Sequence, residues 1–179
     1  LYARYFLASC YEKSRRIDKA IEQWEFIYKR NHSFRDVSAK LQEYKDLQAN
    51  DHMKDYLTSS DAEFVMICKN VALKALGVSA QQVENKKSYC QMVAVDANEG
   101  NWQSMRKQLS FLRFYRDTEP IEESAVREVL DKAKAAKCTK AYIMVSSEFS
   151  RSAVQFAENR PVELRSKIKL EEMLAQANK

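Results

Sequence analysis

Glu84, Asn85 and Lys86 put an acid and a lysine two positions apart. On a strand that spacing turns both side chains to one face, where a carboxylate can hold a cation and an ammonium can steady charge on a phosphate. Here Glu84 ends the strand pattern "SAQQVE" and the turn "NKK" leads on to a second pattern, "SYCQMVAVDA", so the triplet is expected at a solvated hairpin turn. Asp96 with Glu99 offers a second pair of oxygen ligands, in a polar loop. Arg106, Lys107, Arg113, Arg116 and Arg151 would meet phosphates if the fold gathered them. Asp117, Glu119, Glu122 and Glu123 lie nearby in sequence and oppose that. Ser146 and Ser147 follow a strand pattern but lack the Gly-x-Ser-x-Gly elbow and a His partner. Two glycines, Gly77 and Gly100, cannot build a phosphate-cradling loop.

Composition narrows the classes further. Cys10, Cys68, Cys90 and Cys138 form no C-x-x-C pair, and only His32 and His52 join them, so a zinc site is not expected. Reduced thiols are the expectation, with Cys10 and Cys68 in apolar helix patterns. The net charge of +5 comes from basic residues interleaved with acids, the mark of a solvated mixed-charge surface. No run of about 18 apolar residues suits a membrane span. The chain of 179 residues starts at Leu1 inside a helical pattern, which reads as a piece of a longer protein. It has few glycines and prolines, which favours helices and short connections.

The first fifty residues carry two amphipathic helices, about 2–13 and from Ala20 through Tyr28, with Asn31 as an end signal. A third helix follows, with Ser33 as its N-cap and Val37, Leu41, Tyr44 and Leu47 as its apolar stripe. Leu7, Ala8, Tyr11, Ala20, Trp24 and Ile27 sit at the spacings of a tetratricopeptide repeat, although His32 stands where that family has proline. The pair resembles such a repeat, with the third helix closing the end of an array. The resemblance implies a protein partner bound in a groove lined by Tyr2, Tyr5, Ser9, Glu12 and Lys13.

"QANDHMKDYLTSSD" breaks the periodicity and reads as a linker over 51–60, between a helical unit at 1–50 and a second unit at 61–179. Ser60 and Glu63 fit a capping box. The helix "DAEFVMICKNVALKALG" buries Phe64, Ile67, Cys68, Val71, Leu73, Ala75 and Leu76 and stops at Gly77. Three strands follow, then a helix after Pro120, and "KAYIMVSS" as a strand buried on both faces. A short helix, a short strand and a terminal helix complete the order α-β-β-β-α-β-α-β-α. The expected fold class is an α+β chain in two parts: a helical hairpin with a capping helix, then an α/β domain whose mixed sheet is flanked by helices.

That second unit resembles the Mrr-type restriction-endonuclease-like domain. The resemblance rests on "EFVMICKNVALKALG" and on the stretch from "DTEP" to "EEML", with Phe149, Ser150, Ala153, Phe156 and Ala157 as its most specific part. Such enzymes set an acid on the second strand and Glu or Gln, any residue, then Lys on the third. The carboxylates hold Mg²⁺, which activates water, and the lysine stabilises charge. Here the second-strand place falls on Cys90 or Gln91, and Arg113 and Tyr115 fill the third-strand pair. Asp96 comes several residues late.

Read this way, the site is degenerate, with no catalytic residue, no metal and no cofactor. The expected protein is then a non-enzymatic interaction scaffold that binds proteins and no nucleic acid, and self-association is open to it. The whole arrangement resembles spirochaete repeat proteins of the periplasmic flagellar collar, which implies a periplasmic location; otherwise the cytoplasm is expected. The alternative is a Mg-dependent nuclease or nucleic-acid-binding protein of the Mrr type with a migrated site.

Overall fold

The computed structural model describes residues 1–14, 16–97 and 108–179, with the backbone alone over 45–50. The chain divides into two compact units, Leu1–Asn50 and Asp51–Lys179. No helix among the described residues is long and apolar enough to cross a membrane.

In the first unit α1 (Tyr2–Lys13) and α2 (Ile17–Arg30) meet the start of α3 (Val37–Thr58). Their shared core is Ala8, Ala20, Trp24, Ile27, Val37 and Leu41. Small residues at 8 and 20 leave room for the Trp24 indole, which stacks on Tyr44 at 5.4 Å between centroids. Leu7, expected among the packing residues, is exposed, and so is the Cys10 thiol. Ser33 does not cap α3; its hydroxyl turns back to Asn31 Oδ1 at 3.0 Å, and the helix begins at Val37. The side chain of Leu47 lies outside the described residues.

Glu12 ties this unit together. Its Oε1 accepts from Lys40 Nζ and from the Tyr44 hydroxyl, each at 2.7 Å. Burial works to raise the Glu12 pKa, but these two donors outweigh it and hold the carboxyl below its ordinary value of 4.5. The unfolded chain therefore binds the extra proton first. The stabilisation is complete above about pH 4.5 and is lost as pH falls through the lower folded value. At the alkaline end Tyr44 is pushed up to about 12, chiefly by its bond to Glu12, so its contribution is lost as pH rises through that value. Melting temperatures of the chain and of a Glu12→Gln variant should therefore differ at neutral pH and converge as pH falls through the folded value below 4.5. A constant difference across that range would show that this cluster is not the acid-sensitive element.

The segment expected as a linker over 51–60 is helical through Thr58, because α3 continues without a break. Polar Asp51, Lys54 and Asp55 face solvent while Met53 and Tyr56, three positions apart, are buried, so one turn serves both environments. The two units thus divide inside a helix.

Ser60 then starts α4 (Asp61–Leu76) with a complete capping box, its hydroxyl accepting from the Glu63 amide while Glu63 returns a carboxylate. The helix ends at Gly77, whose φ of 67° suits the left-handed cap. Phe64, Cys68, Val71 and Ala72 are buried, but Leu73, expected in the core, is 49% exposed. The sheet order is β1 (Val78–Asn85), β2 (Tyr89–Asp96), β3 (Leu109–Tyr115), β4 (Lys140–Val145) and β5 (Val162–Arg165). The first three strands are antiparallel and the last three parallel, the mixed sheet that a meander followed by helical crossovers produces.

Strand alternation divides the sheet's side chains between two layers. Cys90, Met92, Ala94, Leu112, Phe114 and Met144 pack with α4 and α7 (Lys167–Ala177). Phe111, Tyr115, Ala141, Ile143 and Val145 pack with α5 (Glu123–Ala135) and α6 (Arg151–Ala157). The amphipathic α5 buries Val126, Val129 and Ala133, three and seven residues from its first contact. Ser150 caps α6 by accepting from the Ala153 amide. The element order matches the one read from the sequence, as does the buried strand over 141–145.

Candidate active site

Strand pairing decides between the two second-strand candidates. Gln91 stands opposite Arg113, and Tyr89 opposite Tyr115. These four side chains share the α5 layer. Cys90 turns to the other layer, beside Cys68, where both thiols are buried. Asp96 has the parity of Cys90 and lies at the far end of its strand opposite Val78, away from Arg113.

Arg113 is the centre of the cluster and is fully buried, whereas Gln91 is 7% exposed. Its Nε and Nη2 both donate to Gln91 Oε1, at 3.1 and 2.7 Å. Nη1 donates to the Tyr115 hydroxyl at 3.0 Å, and Nη2 also reaches Glu128 Oε1 of α5 at 3.1 Å. The guanidinium lies 4.2 Å from the centre of the Tyr89 ring, a cation–π contact. Burial acts to strip the charge from Arg113, but Tyr115 and Glu128 more than offset it, so its pKa is raised and the cation persists. Glu128 is correspondingly held below the ordinary carboxylate range by Arg113 and then Lys132.

Glu84 joins from β1. The sequence had set the triplet at a hairpin turn; the strand runs one residue past Glu84, which pairs with Gln91. Its Oε2 accepts from Gln91 Nε2 at 2.6 Å and its Oε1 from Lys86 Nζ at 2.7 Å. These two donors, Lys86 first, lower the Glu84 pKa, and Glu84 raises that of Lys86. Beside them is a cleft of about 480 Å³ lined in part by Gln82, Glu84, Gln91, Phe111 and Lys132.

The donor set does not fit a hard divalent cation at the strand positions. Gln91 Oε1 is occupied by two guanidinium donors, and the buried charge of Arg113 repels a second cation there. Among the described residues no three His, Cys, Asp or Glu side chains gather to hold a metal. What the cluster supplies is fixed cations, two half-exposed carboxylates in Glu84 and Glu128, and a cleft that Glu84 helps to line.

Other sequence candidates fall elsewhere. Arg116 donates to the Ser59 carbonyl, pairs with Asp61 and lies 4.4 Å from the Phe64 ring centre, so it anchors the start of α4. Ser146 and Ser147 donate to the carbonyls of Asp117 and Glu119 and tie down the turn before α5. Arg151 opens α6, outside this cluster. Glu99, Arg106 and Lys107 lie outside the described residues.

The supposed groove on α1 is engaged by its own unit. Tyr2 meets Phe34 edge-on at 5.1 Å, and the Tyr5 hydroxyl donates to Asp36 at 2.6 Å. Ser9 bonds the Tyr5 carbonyl, and Glu12 is held by Lys40 and Tyr44. Of the five groove candidates Tyr2 and Lys13 are exposed. Glu128, Lys132 and Tyr89 were not singled out in the sequence. An acid and a lysine at i and i+4 on an amphipathic helix, and the two-residue step from Tyr89 to Gln91, are the signals that pointed to them.

Residues 57–174 match the restriction endonuclease family, in its Mrr-type catalytic domain. The chain belongs to that family. Among solved structures it is similar to the DNA modification-dependent restriction endonuclease AspBHI, with a TM-score of 0.52 and 12% identity over 75% of this chain and 36% of that one. The MspJI restriction endonuclease, solved with a 27-mer oligonucleotide, gives 0.45 and 15% over 75% of this chain and 32% of that one. At such identity the AspBHI likeness shows the fold. The chain spans about a third of the length of either enzyme. Comparison with curated proteins gave no match.

The family match corrects the functional expectations. A non-enzymatic scaffold built from a tetratricopeptide repeat and a pseudoenzyme, or a component of a flagellar collar, conflicts with membership in an endonuclease family. The expectation that nucleic acid is no partner is overturned by the same match.

Proposed function

We propose that the chain acts on DNA as an Mrr-type nuclease domain whose reactive groups have moved from the third-strand pair toward β1. The observation that carries this reading is the family match over residues 57–174. AspBHI, which shares the fold, is an enzyme directed at modified DNA, and this reading brings DNA to the present chain as substrate. The β1–β2 end of the sheet supplies polar groups on the same layer as Gln91 and Arg113, which is why the movement is short in space. It leaves the sheet and the α5 layer intact while changing which strand presents the acid.

The test uses supercoiled plasmid and a labelled duplex with the purified chain, in Mg²⁺ or Mn²⁺. Nicking is expected, together with duplex binding that weakens steeply as salt rises, because phosphate contacts release condensed counterions. A chain that neither binds nor nicks DNA under these conditions would overturn the reading.

A further inference from the structure

Six side chains from β1, the turn after it, β2, β3 and α5 form one unbroken polar chain, of which Glu84, Gln91 and Lys132 line the cleft. Lys86 bonds Glu84, Glu84 bonds Gln91, and Gln91 bonds Arg113. Arg113 then bonds Glu128, whose Oε1 also takes Lys132 Nζ at 3.1 Å. The middle of the chain is buried and its ends are open: Arg113 is fully covered, while the Lys86 and Lys132 side chains are 54% and 40% exposed. Three cations face two carboxylates, so the cluster carries a net positive charge that a single phosphodiester would balance.

We propose that this cleft is the relocated phosphodiester site of the domain, with Lys86 and Lys132 holding the DNA phosphate and Glu84 as its catalytic carboxylate. Gln91 and Arg113 are positioning residues: the buried guanidinium fixes the amide, and the amide fixes Glu84. The proposal rests on the nuclease reading and names the groups that perform it. In the step assigned to them, a water oxygen forms its bond to phosphorus while its proton passes to Glu84. The bond from phosphorus to the leaving nucleoside oxygen breaks on the opposite side of phosphorus, and this oxygen takes its proton from solvent. Glu84 then returns its proton to solvent. At neutral pH Glu84 is ionised, the form that takes the proton, and Lys86 is protonated, the form that holds a phosphate.

An isolated surface ion pair would not do this, since two long side chains in water seldom hold one geometry. Glu84 differs because its second oxygen is bonded to a nearly buried amide that is itself held by two guanidinium donors. A carboxylate held from two sides keeps one orientation toward the cleft. That restraint is what positioning a water requires.

The experiment compares the full chain with Glu84→Gln, Gln91→Leu and the double variant Lys86→Ala/Lys132→Ala, reading duplex affinity, its salt dependence and plasmid nicking. Glu84→Gln is expected to keep duplex affinity and lose about 100-fold or more in nicking rate. Gln91→Leu should lower the rate at saturating DNA with the dissociation constant unchanged and the stoichiometry of DNA binding kept, since loss of folding would lower that stoichiometry as well. The double lysine variant should bind more weakly and reduce the salt slope by about 0.9 for each phosphate contact removed. If the unaltered chain does not cut DNA, whether or not it binds, the nuclease reading itself falls. If it binds and cuts while Glu84→Gln cuts as well, or the lysine variant binds with the same salt slope, this assignment alone is overturned.

Discussion

Arg113→Ala is expected to destabilise the second unit by about 2–4 kcal/mol, measured by hydrogen exchange of the β2 and β3 amides under native conditions. The loss has two sources. Removing the fully buried side chain leaves a cavity between β3 and α5, and the surrounding side chains can fill it only in part. It also orphans Gln91 Oε1 and leaves the Tyr115 hydroxyl without its donor in a layer with little access to water. Glu128 adds less, because its side chain is 50% exposed and can hydrate when its partner goes. This is why the figure stays below that for a carboxylate left alone in a core.

Two further substitutions separate these sources. Arg113→Met fills most of the volume but donates nothing, so it isolates the lost hydrogen bonds. Arg113→Lys keeps the charge but loses the planar fork that serves Gln91, Tyr115 and Glu128 together. Lysine is therefore expected to lie between arginine and methionine. Exchange rates at β2 and β3 unchanged in all three variants would mean that the network contributes nothing to holding the sheet against α5.

Much of this frame could be read from residue order. The leucine and aromatic residues of 109–115 marked β3 as a strand, and the continuous apolar run of 141–145 marked β4 as buried. Gly77 and the Ser60–Glu63 pair gave the limits of α4, because capping depends on neighbours a few residues away. What could not be read was which side chains meet across elements. Arg113 was legible as a strand residue, but its full burial depends on Gln91, Tyr115 and Glu128 arriving from other positions in the chain.

The triplet at Glu84 was read as a solvated turn for a related reason. Asn85, Lys86 and Lys87 have turn composition, and local composition says nothing of how far pairing with β2 extends. The register carries β1 through Asn85, opposite Cys90, and so brings Glu84 beside Gln91. Likewise 51–58 looked irregular because its charges were counted as a break. They are the solvent face of a helix whose other face carries Met53 and Tyr56. In the first unit the spacing of Ala8, Ala20 and Trp24 gave the packed hairpin, but no pattern in α1 told that Tyr5 and Glu12 would be taken up by Asp36, Lys40 and Tyr44.

Tyr56→Ala is expected to cost the second unit about 3–5 kcal/mol, the range for removing a large aromatic from a closed site. Tyr56 is fully buried, meets Phe64 edge-on at 5.1 Å, and donates its hydroxyl to the Tyr115 carbonyl at 2.8 Å. Tyr56→Phe keeps the ring and removes only that donor, for about 1–2 kcal/mol, because the buried Tyr115 carbonyl loses the bond the hydroxyl gives it. Tyr115 thus links two layers of the sheet: its carbonyl is held from α3 and its hydroxyl from Arg113. If the backbone at the end of β3 must be fixed for Arg113 to reach its acceptors, combining Tyr56→Phe with Arg113→Met should depart from additivity by about 0.5 kcal/mol or more. Additive losses would show that the α3 contact stabilises the strand without steering the polar network on its opposite face.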